Sequence, residues 1–371
     1  MSSPAAVIVS GNEGTLMNLL EHPLYWEDIK SVAELPLPWE RLQDSSIAIS
    51  GATGLIGSFL TDAIMCRNRT RDMNCKIFAL SRNAQRAGER FSAWKDERLL
   101  RTIPYDIRQP LRFDDAESVG YVLHLASHTH PVAYATDPIG TITVNVVGLK
   151  NMLDFASERG AKRMAFASSN EIYGENRGDA KLFAEDYCGY IDCNSLRAGY
   201  PESKRCGEAL CQAYRSQAGL DVVIPRFTRS YGPTMLMSDT KAISQFIRKA
   251  LAGENIVLKS AGTQYYSYTY VADAVSGLLT VLLLGKSGEA YNIADSASDI
   301  TLKDLSALIA RAVGREVVFE LPDAVERAGY SKATKARLDG AKLRALGWSA
   351  QYDIASGIDR TIRILKEIRN A

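Results

Sequence analysis

Between the apolar run Ile47-Ala48-Ile49 and a helical pattern that starts at Leu55, the chain reads Gly51-Ala52-Thr53-Gly54-Leu55-Ile56-Gly57. Three glycines at every third position, placed where a strand turns into a helix, constrain the fold more than any other feature. Bare backbone at such a turn lets a pyrophosphate approach the helix N-terminus, where unsatisfied N–H groups and the helix dipole favour an anion. A glycine triplet alone also fits a tight structural turn. Its place between a strand and a helix favours the dinucleotide reading.

The alternation continues along the chain. Strands are expected at Lys76 to Leu80, just before Tyr105, at Tyr121 to Leu125, at Arg163 to Ala167 and at Asp221 to Pro225. Helical patterns start at Leu55, at Asn83 and after Ile142, and return at Thr240 to Leu251, Val271 to Leu284 and Ile354 to Ile368. Short apolar strands separated by amphipathic helices predict an α/β chain with a doubly wound parallel sheet and a smaller C-terminal substrate-binding lobe. The expected division is an N-terminal extension (1–44), irregular and packed on the body, then a dinucleotide-binding domain (45–228) to which 266–300 return. The lobe comprises 229–265 and 301–371.

Lys and Arg total 44 and Asp and Glu 43 in 371 residues, so no global field draws the protein to nucleic acid or to a membrane surface. A small anionic ligand must be held by local cations. The six cysteines form no Cys-x-x-Cys pair and have no His at metal spacing, which argues against zinc and against a disulfide framework. No basic segment leads into an apolar run at the N-terminus, and no apolar stretch is long enough to cross a bilayer. A cytoplasmic protein, neither secreted nor membrane-spanning, is expected.

The second strand ends at Ser81-Arg82-Asn83, where an NAD enzyme usually presents a carboxylate to the ribose hydroxyls. Arg82 can pair instead with a 2′-phosphate, which favours NADP over NAD; a solvated charge is the plain alternative. Asp106-Ile107, after the third strand, falls where adenine lies. Downstream, Tyr200-Pro201-Glu202-Ser203-Lys204 places Pro at the expected first position of a helix, with Tyr200 at its mouth. Lys204 lies on the same face, so its ammonium and the helix end are expected to lower the phenol pKa and make Tyr200 a base. A Tyr-x-x-x-Lys spacing is common by chance. Here it follows Ser168-Ser169-Asn170-Glu171 at the end of a strand, the edge where ligands bind in this architecture.

As a set, the glycine turn, His124-Leu125-Ala126-Ser127, Asn145, the Ser169 segment, Tyr200 with Lys204, Pro225-Arg226, Tyr231-Gly232-Pro233 and Tyr270-Val271-Ala272-Asp273 resemble the extended short-chain dehydrogenases that rework nucleotide sugars. The likeness runs from about Ser46 to the C-terminus. It implies a Rossmann-type sheet, a tightly bound NADP or NAD, and oxidation at sugar C4 followed by a transformation of the 4-keto sugar. It also implies catalytic roles for Ser169, Tyr200 and Lys204 with support from Asn145, and cofactor contacts from the glycine turn, Leu125, Ala126, Ser127, Pro225 and Arg226. A nucleoside-diphosphate sugar, UDP-linked, is the expected substrate, and a homodimer the expected assembly.

Glu171 resembles the residue of the family's dehydratases and decarboxylases rather than that of the plain 4-epimerases. Asn170 stands where the dTDP-glucose dehydratases carry an acid, and an amide cannot act as one. The stretch His124 to Asn145 and the segment after Tyr231 look most like the UDP-glucuronate decarboxylases, in which a 4-keto group makes the C6 carboxylate a β-keto acid. Two positions depart from that pattern. Tyr266 replaces the usual Arg, and Arg229 replaces the usual Asn, so Arg229 is read either as a relocated anion clamp or as a surface charge. His128, Thr129, His130 and Tyr134 fall in the loop expected to cover the sugar, as sugar contacts or as packing. His124, His128 and His130 have no acid at metal spacing, so no metal is expected. Competing readings are a nucleotide-sugar 4-epimerase, an NADPH-dependent carbonyl reductase, a noncatalytic redox sensor and a scaffold subunit.

Overall fold

The computed structural model describes residues 18–95, 98–112, 119–129, 131–323 and 334–370. The first half runs α1 (Pro23–Ala33), β1 (Ser46–Ser50), α2 (Leu55–Arg71), β2 (Lys76–Ser81), α3 (Ala84–Arg90), β3 (Leu100–Pro104) and β4 (Tyr121–His124). It continues with α4 (Pro131–Thr136), α5 (Pro138–Glu158), β5 (Arg163–Phe166), β6 (Ser168–Ser169), α6 (Gly199–Ala218) and β7 (Val222–Phe227). The second half holds β8 (Arg229–Tyr231), α7 (Ala242–Leu251), β9 (Ile256–Leu258), β10 (Tyr265–Tyr270), α8 (Val271–Leu284), β11 (Ala290–Ile293) and β12 (Asp299–Thr301). After these come α9 (Leu302–Ala312), β13 (Val317–Phe319), β14 (Lys335–Ala336), α10 (Ala341–Arg344) and α11 (Ile354–Asn370).

The large sheet is ordered β11-β7-β5-β4-β1-β2-β3, with β6 paired to β7, and every pairing in it is parallel. β1 and β4 are buried at every position, as strands covered by helices on both faces must be. The strand order reverses between β1 and β4. That reversal opens a crevice beyond the carboxyl ends of the strands, where the glycine turn follows β1. Asp137 caps α5 through Gly140 N (3.0 Å) and Pro138 opens it, while Gly219 in the left-handed region ends α6.

A smaller sheet forms the floor of the second lobe. β10 pairs antiparallel with β12 and parallel with β8 and β14, and β9 with β13 makes a separate ribbon. Residues 266–270 therefore run in the small sheet, and the return to the large one is made by α8 and β11. This strand, Tyr-Tyr-Ser-Tyr-Thr-Tyr, is buried from Tyr266 to Tyr270, and Tyr266 and Tyr268 also line the cleft.

Residues 18–44 are not irregular. Tyr25, Ile29, Val32 and Ala33 lie along one face of α1 and are buried against α2 and α8. That is a helical period with Asp28 set into it. The polar intruder hid the pattern from a sequence reading, and tertiary partners explain it. Asp28 accepts hydrogen bonds from Tyr270 (2.5 Å) and Tyr352 (2.7 Å) and pairs with Arg360 (2.7 Å). Among the described residues no helix is long and apolar enough to cross a membrane.

Candidate active site

A cleft of about 760 Å³ lies between the carboxyl edge of the large sheet and the small lobe. Its inner end is the glycine turn. Gly51 has φ +71°, and a Cβ there would stand 2.8 Å from Ala126 N; at Gly57 it would stand 2.4 Å from Gly51 O. No side chain caps α2 at Gly54, so the first-turn N–H groups are open to a ligand. A turn closed to side chains at Gly51 and Gly57, with the helix N-terminus left uncapped, fits a dinucleotide pyrophosphate. Thr53, Leu55, Ile56, Leu125, Ala126 and Ser127 line the cleft around it.

Ser81, Arg82 and Asn83 line the adenosine end. Asn83 also caps α3 through Arg86 N (2.8 Å), and Arg86 donates to Thr53 O (3.2 Å), bringing a second guanidinium to this corner. Burial and the neighbouring Arg82 both push the Arg86 pKa down, as expected of two cations sharing a site. Sequence reasoning missed Arg86, although its position at the first turn of a helix that begins beside Arg82 was a usable signal. Ile107 lines the same end, whereas Asp106 does not. Its carboxylate is held by Arg108, which lowers its pKa to about 2.

The expected cofactor contacts of Pro225 and Arg226 are corrected by the structure. Both are buried in β7 and neither lines the cleft. Arg226 forks onto Glu208 (2.9 and 2.7 Å) and donates to the Tyr173 hydroxyl (2.8 Å) and Glu185 O (2.7 Å). Glu208 accepts from Ser168 (2.5 Å). The guanidinium thus braces the segment that presents Ser169 instead of reaching a ligand.

Tyr200, Lys204, Ser169 and Glu171 all face the cleft. The α6 helix starts at Gly199, so Tyr200 sits inside its first turn, and Pro201 is tolerated because the first-turn N–H groups lack helical partners. The expected low phenol pKa is not found. Burial pushes Tyr200 up to about 12, with Ser169 and Arg197 working against the rise and Glu171 adding to it. Burial also brings Lys204 down to about 7, and its Nζ donates to Ala167 O at 2.8 Å. Desolvation disfavours both charged forms and outweighs the helix end. Asn145 is fully buried outside the cleft lining, accepting from Ser127 (2.6 Å) and donating to Ser203 (2.8 Å), whose hydroxyl bonds Tyr200 O (2.8 Å). It supports the site by fixing the first turn of α6 against the Ser127 loop.

Glu171 pairs with Arg197 at 2.7 Å, and Arg229 stands 3.8 Å from its other oxygen. Arg197 lies 4.7 Å over the Tyr134 ring, and Tyr134 stacks on Tyr200 with centroids 4.7 Å apart. Arg197 escaped the sequence reading because the loop before α6 carries no periodic signal. The two departures noted above meet, the Arg229 guanidinium resting 3.5 Å from the Tyr266 ring centroid. His128, Thr129 and Asn170 line the same region; His130 lies outside the described residues. His124 ends β4 beneath the site, accepting or donating at Ser50 (2.9 Å), and burial lowers its pKa to about 3, so the ring is neutral. Among the described residues no group of three or more His, Cys, Asp or Glu is disposed to hold a metal. The outer cleft is lined by Lys241, Gln245, Lys249, Lys259 and Ser260, which periodicity alone did not single out.

A Rossmann-type sheet with a glycine cradle and a Ser–Tyr–Lys set at its carboxyl edge defines a nicotinamide-dependent short-chain dehydrogenase. More narrowly, residues 47–294 match the NAD dependent epimerase/dehydratase family, and the chain belongs to it. It is 31% identical over 326 residues to UDP-glucuronic acid decarboxylase 1 of Xenopus tropicalis, covering 86% of this chain and 72% of that one. UDP-glucuronic acid decarboxylase 3 of Arabidopsis thaliana is 29% identical, with 84% and 86% covered. The dTDP-glucose 4,6-dehydratase of Streptomyces venezuelae, solved with NAD, superposes with a TM-score of 0.74 at 25% identity, covering 88% of this chain and 98% of that one. The UDP-glucuronic acid 4-epimerase of Bacillus cereus shares the fold, with a TM-score of 0.73 at 19% identity over 87% and 99%.

Proposed function

We propose that this enzyme oxidises C4 of a UDP-linked sugar and then decarboxylates the 4-keto sugar. The observation that carries the reading is the convergence of Ser169, Tyr200, Lys204 and Glu171 on one cleft whose inner end fits a dinucleotide. A nicotinamide dinucleotide held by the glycine turn would supply hydride acceptance at C4 and its return, and so would not be consumed. Tyr200 Oη takes up the C4 hydroxyl proton as its own proton passes to the Lys204 amine, which with its pKa at about 7 is free to receive it and then stands as a positive charge behind the phenol, while Ser169 Oγ holds the same sugar oxygen. Glu171, lining the same cleft, serves the step at C5 or C6. A β-keto acid loses carbon dioxide with mainly electrostatic help. Asn170 supplies no acid for dehydration.

The paired guanidiniums of Arg82 and Arg86 favour NADP, since together they suit a 2′-phosphate. Exposed Ile139, Ile142 and Val147 on α5 and Leu196 before α6 support a homodimer through that helix pair. Free cysteines fit a reducing compartment, the cytoplasm.

The test is incubation with UDP-glucuronate, UDP-glucose and UDP-N-acetylglucosamine, following product mass. Loss of carbon dioxide is expected from the first. Loss of water assigns a dehydratase, and unchanged mass with altered chromatography a 4-epimerase. Reduction of free carbonyl compounds with every nucleotide sugar returned intact would leave a carbonyl reductase. Glu171→Gln is expected to reduce the cofactor but release no product.

A further inference from the structure

Arg197, Glu171 and Arg229 form a compact array beside Tyr200, their side chains only 11%, 19% and 16% exposed. Two guanidiniums share one carboxylate. Asp239, which also lines the cleft, is engaged by Lys241 at 2.6 Å. Tyr266 and Tyr268 add no negative charge, because burial pushes both phenols up and keeps them protonated. The array is therefore cationic, and a net charge away from water is costly unless an anion meets it.

The two guanidiniums are not equally committed. Arg197 makes the short contact to Glu171. Arg229 is 3.8 Å away, lies flat on Tyr266 at 3.5 Å, and its Nη1 is buried with no hydrogen-bond partner among the described residues. A guanidinium stacked on a ring keeps its N–H edge free for a planar, two-oxygen acceptor. β8 pairs with β10, Arg229 lying beside Tyr268, so that the guanidinium is held at the wall of the same cleft that Ser169 lines.

We infer that Arg229, on its Tyr266 platform, is the specificity residue that binds a carboxylate on the sugar ring. The substrate acid takes the place that Glu171 holds at Arg229, which leaves Glu171 paired to Arg197 alone and turned to the reacting carbons. The inference rests on the proposed nucleotide-sugar reading and adds to it the residue that separates acidic from neutral sugars.

The experiment is calorimetric titration of the protein as purified with UDP-glucuronate and UDP-glucose, which differ only at the sugar's C6, and with UDP, which lacks the sugar. The wild type is expected to prefer the acid over UDP-glucose by about tenfold or more, the worth of one charge-assisted pair. Arg229→Met should abolish that preference while leaving UDP-glucose affinity within about threefold of the wild type. Arg229→Gln repeats the test should the Met variant unfold, and Tyr266→Phe, which keeps the ring, should retain the preference. Equal binding of both sugars by the wild type, or an equal loss of both in the Arg229 variants, overturns the inference and leaves the proposed function standing. Binding of neither sugar, with or without UDP binding, removes the proposed function and this inference with it.

Discussion

At the scale of residues, the site is assembled from groups whose charged forms are suppressed by burial. With Tyr200 pushed up to about 12 and Lys204 brought down to about 7, the phenol holds its proton at neutral pH and the ammonium is free to lose one. Tyr200→Phe removes only the phenol oxygen from a ring stacked on Tyr134. It should cut turnover by about 10³-fold or more while cofactor retention and melting temperature stay unchanged. Retained activity in that variant would remove the mechanism. At the opposite end, Arg82→Asp places a carboxylate where ribose hydroxyls are read and repels a 2′-phosphate. The nucleotide released on denaturation should shift from NADP toward NAD, with relative affinity changing by about tenfold or more. Release of NAD alone from the wild type would sink the assignment.

At the scale of elements, α1 shows how a short helix becomes part of a larger body. Each fully buried side chain such as Tyr25 or Ile29 contributes about 1.5–3 kcal/mol, more than the helix forms with alone. Asp28 binds α1 to β10 through Tyr270 and to α11 through Arg360. Removing it leaves Arg360, only 17% exposed, with the exposed Glu27 (3.2 Å) as its remaining carboxylate and strips the Tyr270 and Tyr352 hydroxyls of their acceptor. Asp28→Ala should therefore cost about 3–5 kcal/mol of unfolding free energy in urea titrations. A loss below about 1 kcal/mol would show the network to be a surface ion pair in effect.

Across the whole molecule, buried carboxylates away from the cleft set the pH profile of stability. Asp273 accepts Gln351 N (2.8 Å) and Tyr352 N (3.0 Å), and burial raises its pKa from 3.8 to about 7; Asp299 rises to about 6. An acid whose folded pKa is raised gives its full stability below the unfolded value and loses it as pH climbs through the folded one. These two groups should make stability fall between about pH 4 and pH 7. Lys204, lowered from 10.5 to about 7, acts oppositely and adds stability as pH rises through that higher window. Asp273→Asn, whatever its cost, should flatten the slope between pH 4 and 7 in melting curves across that range. An unchanged slope would show that Asp273 stays ionised throughout.

The glycine turn, the apolar strands and the alternation with helices were legible from residues alone, because period and turn chemistry are local properties. The α8 bounds, Val271 to Leu284, were readable for the same reason. So were Tyr200, Lys204, Ser169 and Glu171, since each sits at a recognisable strand end or helix start. Tertiary structure alone decided what those groups experience. It buried Tyr200 and Lys204 deeply enough to reverse the expected phenol pKa, and it turned Arg226 inward onto Glu208. It also brought Arg197 and Arg229 to Glu171 from opposite sides, with Arg229 lying on Tyr266. Sequence spacing reports which face of an element a side chain occupies. Burial and the sharing of one carboxylate by two guanidiniums arise between elements far apart in the chain, and no local pattern encodes them.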